Sequence, residues 1–278
     1  MPESPEVQAL VEFLGERLVG RAIAGVELEE FRALKTRQHP LDELVGATVT
    51  GVRRYGKHVD LETDRRHLVI SFGRAGWGVL DDQTDAPTEP GSSAAPIARV
   101  RFDDGAVLTL TDAGSWLSLG VSVVDAASEV SSIAKLGPDP IDPAYTRERL
   151  DAVLAGRRKQ LKALLQEQET LSGIGGAYSD EILHAAKISP VVHAADLDDD
   201  ERARLFAAMR TVLTEAVEAR RGIPLSQQKA AKVAAMRVHG RTGEACLVCG
   251  GTVLDVPGSK GSAQYCPVCQ TGGVPLAG

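Results

Sequence analysis

The sequence predicts an α+β protein, in which a leading helix and a mainly β N-terminal half precede a helical C-terminal half. Two observations support this prediction. Segments of alternating polarity fill about the first 125 residues, and helical periodicity replaces them after residue 142. At 278 residues, the chain is long enough to form two domains.

A helix is predicted at the N-terminus, over residues 4–18. Ser4 is a suitable N-cap, and Pro5 fits the first helical position because its missing N–H would have no partner there. Apolar residues then recur at helical spacing as far as Leu18. The helix leaves Pro2 and Glu3 without an explanation.

Strands are predicted in the rest of the N-terminal half. The alternating segments are residues 22–28, 48–61 and 67–72, together with a hairpin over 100–112 that turns at 103–105. Residues 83–97 are rich in Pro, Ser, Ala and Thr, which predicts a loop between strands.

The second half is predicted to be helical. Its periodic segments are residues 143–154, 158–168, 177–186 and 198–220. The motif LGPDP at residues 136–140 marks the boundary between the halves. The predicted organisation is an N-terminal domain over 1–126, a linker over 127–142, a helical domain over 143–240 and a C-terminal hairpin over 241–278.

Charge and hydropathy place limits on the partners. The net charge of −7 and the isoelectric point near 5.5 argue mildly against nucleic acid, because phosphate binding needs positive surface. Basic residues are nevertheless grouped at 53–58, 157–162 and 220–241, so the total charge does not decide. No apolar run approaches the roughly 18 residues that span a bilayer, and the N-terminus lacks the basic and apolar regions of a signal peptide. We therefore expect a cytoplasmic protein with no membrane partner.

The four cysteines form two CxxC pairs. Cys246 and Cys249 are separated from Cys266 and Cys269 by sixteen residues, which contain glycine turns and a strand predicted over 252–256. This spacing fits a Cys₄ site for one structural Zn²⁺ on a β-hairpin, because four thiolates leave no open position for catalysis. The alternative is two disulfides, which a cytosolic compartment disfavours.

A glycine-rich turn joins two of the predicted helices in the sequence LSGIGGAY. Gly173, Gly175 and Gly176 allow backbone N–H groups to face outward at a helix N-terminus, where the helix dipole favours an anion such as a nucleic-acid phosphate. A simple tight turn between helices explains the same residues equally well.

Three of these features occur together: Pro2-Glu3 with Glu6, the Gly-Ile-Gly turn and the C-terminal CxxC pairs. With YGKH at 55–58, LGPDP at 136–140 and VHGRTGE at 238–244, they resemble the formamidopyrimidine-DNA glycosylase and endonuclease VIII family of base-excision enzymes. The resemblance spans the whole chain. It implies a β-sandwich domain, a helix–two-turn–helix domain and a zinc hairpin. It also implies a DNA glycosylase with AP-lyase activity that acts on damaged DNA, and one lesion site per chain makes a monomer the default expectation.

The resemblance gives roles to the N-terminal residues. Removal of the initiator methionine would leave Pro2 with a secondary amine, which in the family attacks the sugar C1′ of a damaged nucleotide and forms an iminium. An α-amino group has a pKa of about 7.7–8.0 and is partly neutral at physiological pH. Glu3 would shuttle protons, Glu6 would support the electrostatics of the site, and Lys57 would contact the phosphate next to the lesion. Alternatively, Glu6 only complements the helix dipole, and Lys57 is a surface residue without a role in the site.

Residues that the family inserts into the duplex are changed here. The position of the inserted methionine aligns with Arg74, which could stack or hold a phosphate. The inserted arginine and phenylalanine align with Ser115 and Trp116. Trp116 either stacks on a base or is buried in the core.

Two expected phosphate contacts are changed as well. The asparagine that follows the family's glycine turn is Gly176 here. The hairpin arginine before the third cysteine falls on Gly261, beside Lys260, whose point charge neutralises a phosphate without the bidentate geometry of arginine. Residues 222–233 also form a shorter connection than the loop that some relatives place over the damaged base.

Pro2 and Glu3 are unaffected by these changes. We therefore expect a glycosylase and lyase that favours single-stranded, forked or otherwise opened DNA, or cross-linked lesions, in which less energy is needed to flip a base. The alternative is a non-catalytic protein of the same fold that binds damaged or branched DNA. A third interpretation, a β domain joined to a zinc scaffold for protein partners, leaves Pro2-Glu3 unexplained.

Overall fold

The computed structural model describes residues 2–82 and 94–277, and the chain divides into two compact units. Unit 1 comprises Met1–Lys135 and Arg220–Lys229, whereas unit 2 comprises Leu136–Ala219 and Ala230–Gly278. The division after residue 135 falls within the segment that the sequence assigns to the linker. Residues 220–229, which the sequence assigns to the helical domain, pack with unit 1 instead.

Unit 1 begins with helix α1 (Ser4–Leu18), whose extent matches the prediction. Its N-cap is Glu3, and Ser4 is already the first helical residue, so the predicted Ser4 cap was wrong. The Glu3 carboxylate accepts the N–H of Glu6, while Glu6 Oε2 accepts the N–H of Glu3 at 2.9 Å. This reciprocal pair is a capping box, and it fixes the start of the helix one residue earlier than a serine cap would.

Eight strands of the described residues form two antiparallel sheets in unit 1. They are β1 (Ile23–Leu28), β2 (Val49–Tyr55), β3 (His58–Thr63), β4 (His67–Ser71), β5 (Gly76–Asp81), β6 (Pro96–Phe102), β7 (Val107–Asp112) and β8 (Gly120–Val124). One sheet has the order β1-β6-β7-β5 and the other β2-β3-β4-β8. Leu10 of α1, Ile70 of one sheet and Leu108 of the other share one hydrophobic core. Unit 1 is therefore a β-sandwich with a leading helix.

The single strand predicted over residues 48–61 is a hairpin. A two-residue turn at Gly56 and Lys57 separates β2 from β3. Gly56 has a φ of 55°, a left-handed value that glycine adopts at little cost, and short hairpin turns depend on such residues. The turn therefore presents Lys57 at the end of the sheet.

The other hairpin was predicted correctly. β6 pairs with β7, and the Gly105 N–H donates to Phe102 O at the predicted turn. Most of the loop predicted over 83–97 lies outside the described residues, and Pro96 already belongs to β6. After β8, a one-turn helix, α2 (Ser131–Ala134), ends this part of unit 1.

Unit 2 contains the predicted helices. They are α3 (Arg147–Leu154), α4 (Leu161–Leu165), which is shorter than predicted, α5 (Gly176–Ala186) and α6 (Asp199–Arg220). A further helix, α7 (Gln228–Ala235), lies where the sequence predicted only a short connection, and Arg220 and the start of α7 pack with unit 1. Helix α3 starts later than predicted because the carboxylates of Asp139 and Asp142 each accept a backbone N–H two residues further on, which favours turns. The core of this unit includes Leu164, Ile174 and Ile182.

A small hairpin closes the chain. Its strands are β9 (Leu254–Asp255), which is shorter than predicted, and β10 (Gln264–Tyr265), and the one-turn helix α8 (Pro267–Gln270) follows them. Val238, Val253, Cys246 and Cys266 form an apolar cluster of their own beneath it. Across the described part of the chain, no helix has the length and apolar character needed to cross a membrane.

Candidate active site and metal centre

The start of α1 gathers the three N-terminal residues singled out in the sequence. Pro2 is half-buried, and Glu3 and Glu6 are only 2% and 3% exposed. Glu3 caps the helix and Glu6 lies in its first turn, so both carboxylates are at the positive end of the helix dipole, which favours negative charge. A chain-terminal proline at this position would place an amine next to a buried carboxylate that can accept and return protons.

The turn that carries Lys57 is tied to the same helix. Arg54 donates from Nη1 to Gly56 O at 3.0 Å and from Nε to Gln8 Oε1 at 2.7 Å. Gln8 lies one turn beyond the capping box. Lys57 follows Gly56 in this turn and is half-buried.

His58, the residue after Lys57, forms contacts through both ring nitrogens that help to fix the turn. Its Nδ1 lies 3.1 Å from Tyr55 O, and its Nε2 lies 3.0 Å from Ser132 Oγ on α2. Burial lowers the pKa of His58, and the nearby Lys57 ammonium adds to this effect against the opposing bond to Tyr55. The imidazole is therefore neutral at pH 7, with one ring nitrogen as donor and the other as acceptor.

Arg74 and Trp116 lie on two neighbouring loops that are fixed to each other. Asp112 Oδ2 accepts the N–H and the hydroxyl of Ser118 and the N–H of Leu119, and Ser118 Oγ in turn accepts the Arg74 N–H at 2.9 Å. Trp116 is 87% exposed, which excludes core burial. The structure thus places the two residues on neighbouring, hydrogen-bonded loops, here called the platform, with their side chains at the surface.

Close approach of the backbone explains why the first of these loops begins with glycine. A Cβ at Gly73 would lie 2.3 Å from Ser118 O, and Gly73 also has a φ of 55°. Any larger residue would push the loops apart.

The segment that joins α6 to α7 also packs on unit 1. Arg221 donates from Nε and Nη2 to the two carboxylate oxygens of Glu12 on α1, at 2.7 and 2.8 Å, and these bonds lower the pKa of Glu12. Trp77 Nε1 donates to Leu225 O at 2.8 Å, and the Leu225 side chain is buried in the sandwich core. The short connection noted in the sequence is therefore held against α1 and β5.

The glycine turn before α5 is rigid. Gln168 Oε1 accepts the Gly173 N–H at 2.9 Å, and Gln168 Nε2 donates to Ile174 O at 2.7 Å. The Gly173 N–H is therefore used inside the protein, so it does not take part in the predicted phosphate contact. Gly175 is the N-cap of α5 and Gly176 its first residue. A Cβ at Gly176 would meet only Ser262 O, at 4.0 Å, so a side chain would fit here.

The LGPDP motif is hydrogen-bonded to the segment that leads into this glycine turn. The Gly137 N–H donates to Gln168 O, and the Ser172 N–H donates to Pro138 O. A Cβ at Gly137 would lie 2.5 Å from the Thr170 carbonyl, so only glycine allows this approach.

Two buried acids on α5 organise the rest of unit 2, and sequence reasoning missed both. Asp180 lies within hydrogen-bonding distance of Lys162 Nζ, His239 Nδ1 and the Gln264 N–H. Glu181 accepts three successive backbone N–H groups, those of residues 237–239, each at 2.9 Å. The VHGRTGE motif is therefore bound by Glu181, which joins α5 to the hairpin.

The four cysteines are all free thiols, so the disulfide alternative does not hold. Cys246 Sγ lies 3.9 Å from Cys269 Sγ, and Cys249 Sγ lies 3.4 Å from Cys266 Sγ. Tetrahedral Zn²⁺ with Zn–S bonds of about 2.3 Å separates its sulfur ligands by about 3.8 Å, which these distances approximate. The Gly251 N–H, the largest influence, lowers the pKa of Cys249 to about 7 and so favours the thiolate that a metal binds.

A histidine that the sequence analysis did not consider joins this centre. His184 is 3% exposed, and its Nε2 lies 3.3 Å from Cys246 Sγ. The His184 imidazole and the thiols of Cys246, Cys266 and Cys269 all lie within 4.8 Å of one another. Its position on α5, one helical turn after Asp180 and Glu181, places it on the same buried face, and this spacing is the signal in the sequence that could have identified it.

The tip of the hairpin carries Lys260. It is exposed and has a φ of 53°, and the following Gly261 has a φ of 75°. Two consecutive left-handed residues reverse the chain tightly and leave the Lys260 ammonium in solvent.

Comparison with known proteins agrees with this architecture. Residues 1–116 match the formamidopyrimidine-DNA glycosylase N-terminal domain family, and residues 136–227 match the formamidopyrimidine-DNA glycosylase H2TH domain family. A formamidopyrimidine-DNA glycosylase of Salinispora arenicola is 34% identical over 289 residues, covering 97% of this chain and 96% of that protein. An uncharacterized formamidopyrimidine-DNA glycosylase-like protein of Mycobacterium tuberculosis is 45% identical over 142 residues, covering 51% of this chain and 89% of that protein.

A solved structure gives the same result. The Lactococcus lactis formamidopyrimidine-DNA glycosylase, crystallised non-covalently bound to DNA that contains an AP site, has a TM-score of 0.81 and 25% identity, covering 97% of this chain and 99% of that one. Together with the matches to both domain families, this likeness shows that the chain belongs to the formamidopyrimidine-DNA glycosylase family of DNA glycosylases.

Proposed function

We propose that this protein is a bifunctional DNA glycosylase and AP lyase that uses Pro2 as its nucleophile. The observation that carries the proposal is the capping box at the start of α1, which fixes the buried Glu3 carboxylate directly after Pro2. A nucleophile next to a positioned proton carrier is the arrangement that covalent catalysis requires.

The proposed reaction begins when the neutral Pro2 amine attacks C1′ of a damaged nucleotide. A bond forms between the Pro2 nitrogen and C1′, and the C1′–base bond breaks with its electron pair leaving on the base, which takes up a proton. Opening of the sugar ring protonates O4′ and gives an iminium. Loss of a C2′ proton then expels the 3′ phosphate and nicks the strand. Glu3 carries the protons in these steps.

Lys57 and Glu6 complete the proposed site. The bonds of Arg54 to the turn and to α1 support a role for Lys57 in holding the phosphate next to the lesion. Glu6 fixes the backbone of Glu3 through its hydrogen bond to that N–H. We place Zn²⁺ on the four C-terminal cysteines, where it would cross-link the hairpin and take no part in the chemistry.

We also propose that opened or single-stranded DNA is the preferred substrate. Trp116 and Arg74 are exposed on two loops that are hydrogen-bonded to each other. Such exposed side chains can stack on bases that are already unpaired. Gly175, Gly176 and Lys260 would bind phosphates in unit 2, with Gly176 lacking the side chain that relatives place after the glycine turn. Cleavage of matched single-stranded and duplex oligonucleotides with the same lesion tests this preference, and a strong preference for duplex would contradict it.

Borohydride trapping tests the nucleophile. Borohydride delivers hydride to the iminium carbon and converts the intermediate to a stable amine, so incubation with a single-stranded abasic-site oligonucleotide is expected to give a covalent adduct. A retained N-terminal tag should abolish the adduct, and Pro2→Gly should reduce it. Zinc-loaded protein with a correctly processed N-terminus that forms no adduct would contradict the proposal.

That negative outcome would favour the second candidate, a non-catalytic protein that binds damaged or branched DNA. The changes at Arg74, Ser115, Trp116 and Gly176 are the observations that favour it. Binding of abasic-site DNA without adduct or base release would identify it.

A further inference from the structure

The metal centre offers more donors than a tetrahedral ion needs. His184 Nε2 and the sulfurs of Cys246, Cys266 and Cys269 lie within 4.8 Å of one another, and Cys249 Sγ lies 3.4 Å from Cys266 Sγ. Tetrahedral Zn²⁺ takes four ligands, and five candidate donors are present here. Two overlapping sets of four follow: His184 with the three mutually close cysteines, or Cys249, next to Cys266, with the same three.

We propose that His184 is a reserve ligand, which completes a Cys₃His zinc site when Cys249 is lost or chemically blocked. The three buried or half-buried cysteines, Cys246, Cys266 and Cys269, belong to both sets, whereas Cys249 is exposed to solvent. Cys249 is therefore the thiol that an alkylating agent reaches first and the ligand that the site can spare.

Hydrogen bonding explains why Cys249 is the fourth ligand at rest. With four thiolates on the metal, the Nε2–H of His184 donates to Cys246 Sγ across 3.3 Å and offsets part of the thiolate charge. If Nε2 bound the metal instead, the proton would move to Nδ1, which is buried and has no hydrogen-bond partner among the described residues. A ligating histidine normally donates its second N–H, so the Cys₃His form lacks this stabilisation and becomes dominant only without Cys249.

Hydrogen bonds fix helix α5, which carries His184, against the segments around the metal centre. Asp180 and Glu181 bind the 237–239 segment and β10 through hydrogen bonds of 2.8 to 3.2 Å, and Gln270 Nε2 donates to Ile188 O just beyond the end of α5. The imidazole consequently remains beside the three shared cysteines whether or not Cys249 is bound.

Zinc content of four purified full-length variants tests the proposal. Cys249→Ala is expected to keep one zinc per chain through gel filtration with a weak chelator, and His184→Leu is expected to do the same through the four cysteines. Cys249→Ala/His184→Leu should lose the metal, as should Cys266→Ala, which removes a ligand common to both sets. Equal loss of zinc from Cys249→Ala and from the double variant would overturn the proposal.

Two further measurements keep the test decisive if Cys249→Ala folds poorly. Alkylation of Cys249 in the zinc-loaded wild-type protein should leave the zinc bound, whereas the same treatment of His184→Leu should release it. In Co²⁺-substituted protein, Cys249→Ala should show weaker thiolate-to-metal charge transfer and d–d bands at shorter wavelength, because an imidazole replaces one thiolate. An unchanged spectrum, or zinc release from both alkylated proteins, would show that His184 does not ligate.

Discussion

The Glu3 carboxylate serves both the helix and the proposed chemistry, and one substitution separates the two. Glu3→Gln keeps an acceptor oxygen for the Glu6 N–H, so the free energy of unfolding should change by less than about 1 kcal/mol. The amide cannot carry protons, so base excision should fall by a factor of about 10²–10⁴. Glu16→Gln, at an exposed position of the same helix, is the control. Single-turnover excision by Glu3→Gln at the wild-type rate would contradict the role.

Gly176 offers a test in which a substitution should increase the affinity for DNA. A Cβ fits there, and an asparagine side chain in the first turn of α5 could donate to a phosphate held by the helix N-terminus. We expect Gly176→Asn to bind abasic-site DNA about tenfold more tightly than Gly176→Ala, which corresponds to ~1.4 kcal/mol for a hydrogen bond to a charged group. The alanine variant controls for the change in backbone entropy. Equal affinities would mean that no phosphate lies at this helix end.

At the scale of elements, the two loops joined by Asp112 and Ser118 form the platform for Trp116. Trp116→Ala should weaken binding of single-stranded lesion DNA by about 1–3 kcal/mol, the usual contribution of one stacked base. The thermal midpoint should not change, because the side chain is 87% exposed. Phe31→Ala removes a comparable aromatic, 80% exposed, outside the platform, and it should leave binding unchanged. Equal effects of the two substitutions in a fluorescence-anisotropy titration would argue against specific stacking.

The platform also has a predictable pH dependence. Burial alone would raise the pKa of Asp112, but the hydrogen bonds from Ser118, Gly114 and Leu119 outweigh it and hold the pKa below the ordinary value of about 3.9. A pKa that is lowered on folding stabilises the folded state above the unfolded pKa, and this stabilisation is lost as the pH falls through the folded pKa. Asp112→Asn should therefore cost about 1 kcal/mol at pH 7 in urea unfolding, since the site is half-exposed, and the difference from wild type should shrink below about pH 4. A difference that stays constant with pH would contradict this account.

Elements were easier to predict than the contacts that fix them. Periodicity located α1, α5 and α6 to within a residue or so, because apolar residues recur at helical spacing along each of them. The Glu3 cap was missed because serine is the commoner cap and the reciprocal bond to Glu6 is a property of the folded turn. His184 was missed because its partners lie about 60 to 85 residues further along the chain, and only the packing of α5 against the hairpin brings them together.

At the scale of the whole molecule, folding of the C-terminal hairpin in unit 2 should depend on bound zinc. The hairpin has two residues in each strand and a small apolar cluster, which is too little to fold alone. Removal of zinc should expose residues 241–277 to proteolysis and abolish DNA binding, whereas the sandwich core of unit 1 should keep its hydrogen-exchange protection. Readdition of zinc should restore both properties, and DNA binding that survives complete removal of metal would contradict a structural role.

The salt dependence of binding tests which cations an acidic chain uses to contact DNA. The net charge is −7, so phosphate binding depends on local positive charge, for which Lys57, Arg74 and Lys260 are the candidates. Three phosphate contacts predict a slope of log K against log salt of about −2 on single-stranded DNA, since each contact contributes about −0.7. Lys260→Asn should reduce the magnitude of this slope by about 0.7 and weaken binding equally for all sequences.

Lys187→Asn is the matched control for that substitution. Lys187 and Lys260 are the two non-glycine residues with positive φ in the described chain, and asparagine tolerates this conformation, so both variants remove one exposed charge without added backbone strain. Lys187 caps the C-terminus of α5, away from the helix end that favours phosphate. A reduced slope in Lys260→Asn alone would place a phosphate at the hairpin tip. Equal reductions in both variants would mean that unit 2 attracts DNA only through its overall charge, and Lys260 would then have no specific contact.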